Sequence, residues 1–151
     1  MQNPFLKYDK LVETKFPEVQ LEHLEGGTAT IKKYAGKPTL VNFWFTSCPP
    51  CIEELPALNR LKRKYQDKVN FVSITFNDKQ KVQKLFEKLQ FDFDNYIDAR
   101  KLIDKFGIDT YPLSFLLDKD GTIKSILGPV PVNYKGESDE TLFEPIIQKV
   151  L

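Results

Sequence analysis

One junction constrains this chain more than any other feature. The apolar run Leu40-Val41-Asn42-Phe43-Trp44-Phe45 stops at Thr46-Ser47, and Cys48-Pro49-Pro50-Cys51 follows. Apolar residues then recur at helical spacing through Ile52, Leu55, Leu58, Leu61 and Tyr65. A short β-branched and aromatic run bounded by Pro38 reads as a strand covered on both faces, and such strands lie at the centre of a sheet. The periodic stretch predicts a helix over 50–65, whose first turn tolerates prolines because its N–H groups have no acceptor within the helix. Pro56 falls inside it, so a kink is expected near Ile52.

The remaining pattern is read the same way. Alternating residues from Val19 to His23 and from Thr28 to Ile31 flank Gly26-Gly27 and predict an N-terminal β-hairpin, an embellishment ahead of the main fold. A strand is expected over 71–76, a helix carrying Val82, Leu85, Phe86 and Leu89, and a shorter helix carrying Leu102, Ile103 and Phe106. Strands over 113–117 and 122–127, joined by Asp118-Lys119-Asp120-Gly121, predict an antiparallel hairpin. Leu142, Phe143, Ile146, Ile147 and Val150 line a C-terminal helix, and residues 129–137 form a loop of no evident purpose. The order is β-α-β, a central helical insertion, then β-β-α. It makes an α/β fold with a central mixed sheet flanked by helices. At 151 residues a single domain over 1–151 is expected, with 1–16 as an N-terminal extension.

Charge narrows the function. Lys plus Arg number 22 against 21 Asp plus Glu, a formal +1, which offers no steering field toward nucleic acid or anionic lipid. No run of about 18 apolar residues exists to span a membrane, and the first twenty residues lack the apolar core of a signal peptide. No nucleic acid and no membrane contact by this chain are expected, and it is read as a monomer.

Two cysteines are too few for a disulfide scaffold, so they must be explained as a local pair. At a helix start, free N–H groups and partial positive charge favour a thiolate, which is the first requirement of disulfide exchange. Cys48 precedes the regular helix, should be the more exposed, and would attack; Cys51, in the first turn, would resolve the mixed disulfide. Neither intervening proline has an N–H, which leaves chiefly the Cys51 amide to stabilise the Cys48 sulfur. A weakly depressed thiol pKa follows, and with it a reductant nearer about −270 mV than about −120 mV. Glu54 lies three residues after Cys51 on the same helical face, whereas Glu53 points away. If buried, its pKa should rise, letting it take the proton from Cys51. A fixed structural pair and a metal site are the alternatives; tetrahedral zinc wants about four Cys or His ligands, and His23 is the only histidine.

The stretch from Val41 to Pro56 resembles the TlpA/ResA branch of the thioredoxin superfamily, related to the AhpC/TSA redoxins. The resemblance continues through Asp98, Lys105-Phe106-Gly107-Ile108, Tyr111 to Asp118 and Asp120-Gly121, from about residue 17 onward. It implies a thioredoxin-like fold with core strands in the order 2-1-3-4. It also implies a cis proline, here Pro112, facing the cysteines, with the backbone of Tyr111 free to pair with an extended substrate. Asn42 stands where thioredoxin has a buried Asp, and the family's acidic residue falls on Glu54. Trp44, Pro49, Pro50, Tyr111 and Pro112 are the implied substrate-binding residues, Trp44 matching the family's aromatic packing under the site. Ser47 departs from the family, which more often has a bulky residue there, and Tyr111 is bulkier than the common choice and would narrow the groove.

The implied activity is thiol-disulfide oxidoreduction in the bacterial periplasm or cell envelope, with any signal or anchor missing from this sequence. No cofactor beyond the redox-active disulfide is implied. Partners would be proteins with thiols or disulfides, such as apocytochromes awaiting haem, and an upstream electron donor. A thiol peroxidase is one competing reading, although Phe45 occupies the place three before Cys48 where such an enzyme needs Thr. A non-catalytic interaction module with a fixed disulfide is another.

Overall fold

The computed structural model describes residues 3–151. Its seven strands are β1 (Leu21–His23), β2 (Thr28–Ala29), β3 (Thr39–Trp44), β4 (Asn70–Thr75), β5 (Asp94–Ile97), β6 (Leu113–Leu117) and β7 (Ile123–Leu127). They form one mixed sheet in the order β2-β1-β5-β4-β3-β6-β7. The expected core order appears as β4-β3-β6-β7. β3 runs parallel to β4 and antiparallel to β6, and all six of its residues are buried. Side chains alternate across a strand, so Leu40 and Trp44 join the core on one face while Val41 and Phe43 join the other. Asn42 therefore faces the Leu40 side.

The helices are α1 (Pro49–Glu53), α2 (Leu55–Tyr65), α3 (Lys79–Phe86), α4 (Arg100–Phe106) and α5 (Glu144–Gln148). Four expectations need correction. The helix over 50–65 breaks at Glu54, not near Ile52. Pro56 has no N–H to offer the Ile52 carbonyl, and the Glu54 N–H donates to that carbonyl instead. Pro56 then opens α2 as a first-turn proline. The insertion between β4 and β6 is not only helical, because it contains β5, parallel to β4. The N-terminal hairpin pairs as expected, Leu21 opposite Ala29, but it is part of the sheet through β1 and β5. The C-terminal helix is shorter than its pattern; Pro145 divides the segment into a 3₁₀ turn at Glu140–Leu142 and α5, and Leu142 is exposed.

The N-terminal extension is held on the edge of the sheet. A 3₁₀ stretch at Leu6–Leu11 buries Tyr8, and the Glu13 N–H and Thr14 carbonyl bond to Ile123 at 2.7 and 2.8 Å. These bonds cover part of the unpaired edge of β7, which would otherwise present free backbone groups.

Candidate active site

β3 ends at Trp44, and the chain turns through Thr46-Ser47 into α1. Asn77, just after β4, fixes that turn by accepting the Thr46 N–H at 2.7 Å. Cys48 caps α1 and Cys51 lies in its first turn. Their sulfurs are joined as a disulfide with Cα atoms 5.3 Å apart. The Cys51 N–H points at the Cys48 sulfur at 3.3 Å. Pro49 and Pro50 have no N–H to add. The expected contrast in exposure is small: Cys48 is 3% and Cys51 1% exposed. Cys48 packs into the core and lines a shallow groove of about 420 Å³ together with Phe45, Pro49, Pro50, Phe76, Asp109 and Tyr111. What solvent or substrate reaches is the side of Cys48 that faces this groove.

Glu54 sits at the break between α1 and α2, 3% exposed, while Glu53 is exposed as expected. One carboxylate oxygen accepts the Val130 N–H at 2.8 Å. The other accepts from the Asn42 amide at 3.3 Å, and the same amide donates to the Ser114 hydroxyl at 3.0 Å. Burial pushes the Glu54 pKa up to about 7, against the smaller downward pull of the Val130 and Asn42 donors. Such a carboxyl exchanges a proton near neutrality. The loop at 129–137 thus has a purpose that sequence reasoning missed: it delivers a backbone amide to Glu54. No side-chain pattern signals this contact, because the donor is a backbone N–H.

The implied substrate residues divide. Tyr111-Pro112 is a cis peptide bond, and Tyr111 lines the groove with its ring centre 5.1 Å from that of Phe45 and 6.0 Å from that of Phe76, both edge-to-face. Partial burial raises its phenol pKa to about 12. Pro49 and Pro50 line the same groove. Trp44 does not: it is 1% exposed, with its ring stacked 5.9 Å from Phe86 and edge-on 5.6 Å from Phe91. It faces the Leu40 side of the sheet, so it supports the site from below and cannot touch a substrate. Phe45 and Phe76 are groove residues that the sequence does not single out, because the apolar pattern makes each the last residue of a strand. His23 lies in β1 against Tyr96, with β5 and β4 between its strand and β3.

A disulfide at a helix start, a cis proline just before the neighbouring strand and a buried acid behind them, on this sheet, define a thiol-disulfide oxidoreductase with a thioredoxin-like fold. The chain belongs to the AhpC/TSA family, whose model matches residues 12–126. It is 34% identical over 116 residues to the thioredoxin-like protein YneN of Bacillus subtilis, covering 73% of this chain and 67% of that protein. It is 32% identical over 154 residues to the thiol-disulfide oxidoreductase ResA of Bacillus thuringiensis, covering 99% and 84%. Among solved structures, a thioredoxin-family thiol:disulfide interchange protein of Chlorobium tepidum superposes with a TM-score of 0.74 at 21% identity, covering 91% of this chain and 96% of that one. That likeness concerns the fold.

Proposed function

We propose that the protein reduces disulfides in extracytoplasmic client proteins. The Cys48 thiolate attacks a client disulfide, forming a mixed disulfide and releasing one client thiolate. The Cys51 thiolate then attacks the Cys48 sulfur and releases the second. The client gains two electrons and two protons, and the protein is left with the Cys48–Cys51 disulfide, which an upstream dithiol donor must reduce. Glu54 takes the Cys51 proton during resolution, directly or through water, and neutralises as it does so. No cofactor beyond the disulfide is required. The protein acts as a monomer in the bacterial periplasm or cell envelope, and apocytochromes awaiting haem attachment are the client class that the ResA likeness brings forward.

The observation that carries this reading is the Cys51 N–H, the one N–H pointing at the Cys48 sulfur among the described residues, ahead of a buried carboxyl. One amide stabilises a Cys48 thiolate weakly, which leaves the reduced form a willing donor. The test is trapping: a Cys51→Ser variant incubated with an envelope fraction should accumulate client proteins disulfide-linked to position 48. Loss of the adducts in a Cys48→Ser, Cys51→Ser double variant must follow. Equal adduct formation on Cys51 in a Cys48→Ser variant would refute the assignment of roles.

A further inference from the structure

The groove beside Cys48 is bordered on one side by Asp109 and Tyr111; the Tyr111 ring packs against Phe45 and Phe76, but the backbone of this wall is thinly tethered. Before it, Gly107 and Ile108 are bonded back to α4, and after it Leu113 enters the ladder with Phe43. Between these anchors, among the described residues, Thr110 and Tyr111 donate to no backbone carbonyl, and Pro112 has no N–H. The Asp109 N–H donates to the hydroxyl of Tyr8 at 3.1 Å. That hydroxyl in turn faces an Asp109 carboxylate oxygen at 3.3 Å. The same oxygen pairs with the Lys7 ammonium and accepts from Thr110 at 3.1 Å.

Tyr8 can serve as a tether because its ring is fixed. It is 1% exposed and packs in the core with Phe16, Val41, Phe43 and Phe115, so its hydroxyl is presented from a rigid base. We propose that Tyr8 is a positioning residue for substrate capture: through its hydroxyl the N-terminal segment holds the Asp109–Tyr111 wall of the groove in place against an extended client segment. The inference rests on the reductase reading above. It assigns to residues before the matched family region a part in the site, and it separates two substrate classes. A peptide disulfide lies along the wall and depends on the tether; a small disulfide reaches the sulfur alone and does not.

The test compares pre-reduced wild type with Tyr8→Phe, which keeps the buried ring. Both are followed in single-turnover reduction of a synthetic peptide closed by one disulfide and of bis(2-hydroxyethyl) disulfide, with amide exchange at Asp109 measured in parallel. In the variant the Asp109 amide should lose protection and the half-saturating peptide concentration should rise roughly three- to tenfold, as for one lost hydrogen bond. The saturating rate and the small-disulfide rate should hold. An unchanged half-saturation with a deprotected Asp109 amide overturns the proposal. So does an equal slowing of both substrates, or an Asp109 amide protected as before. A wild type that reduces neither disulfide removes the reductase reading itself, a different result from any of these.

Discussion

Replacing Glu54 by Gln should change how stability depends on pH far more than it changes stability at low pH. The carboxyl is enclosed by α1, β3 and the 129–137 loop, and burial is the main reason its pKa is raised. In the unfolded chain it titrates near its ordinary 4.5, and in the folded protein at about 7. Between these values the folded state keeps a proton that the unfolded state has lost. Stability from this group is therefore complete below about pH 4.5 and falls as pH rises, levelling off once pH passes about 7. At about 1.36 kcal/mol per pH unit the loss amounts to ~3 kcal/mol, a large part of the ~5–15 kcal/mol that holds a domain of this size together. Gln cannot ionise, keeps an oxygen for the Val130 N–H and nearly preserves the volume. Urea unfolding of the oxidised proteins, in which the cysteines do not titrate, should give a wild-type stability that declines relative to Glu54→Gln by ~3 kcal/mol from pH 4 to pH 8. Parallel curves across that range, or a wild type that gains on the variant as pH rises, would refute both the burial argument and the proton-accepting role built on it.

Two further outcomes follow from the same geometry. Equilibration with glutathione or dithiothreitol should place the Cys48–Cys51 couple nearer about −270 mV than about −120 mV, since the two prolines leave the Cys51 amide as the one N–H at the Cys48 sulfur among the described residues; a value near the oxidising end would refute it. Trp44→Ala should cost ~3–5 kcal/mol of stability by denaturant unfolding, the usual loss for a large buried aromatic, and a loss below about 1 kcal/mol would show that the ring is not packed as described.

The residues that do the chemistry and those that tune it differ in how visible they were. Strand β3, the Cys48–Cys51 spacing and the start of the helix are local patterns, fixed by side-chain period and by where prolines are tolerated, and they were legible. Pro112 was legible through the resemblance and not through any property of one proline. β5 was not, because Asp94 and Asn95 are poor strand formers and its four residues gain their place from β4 and β1 on either side. The break at Glu54 was misplaced because the proline rule names the carbonyl left without a partner, and the chain satisfied that carbonyl with the Glu54 N–H.

The two contacts that carry most of the tuning are of a kind no side-chain pattern encodes. Val130 reaches Glu54 across 76 positions and Asp109 reaches Tyr8 across 101, in each case through a backbone N–H that every residue but proline possesses. The identity of the donor residue therefore carries no information about the bond; only the route of the chain does. A loop change that preserves every residue of the Cys-Pro-Pro-Cys turn can still move the Val130 amide, and with it the proton affinity of Glu54. In this fold the bond-making atoms sit within one turn of helix, whereas the properties that decide when and on what they act are set from the two ends of the chain.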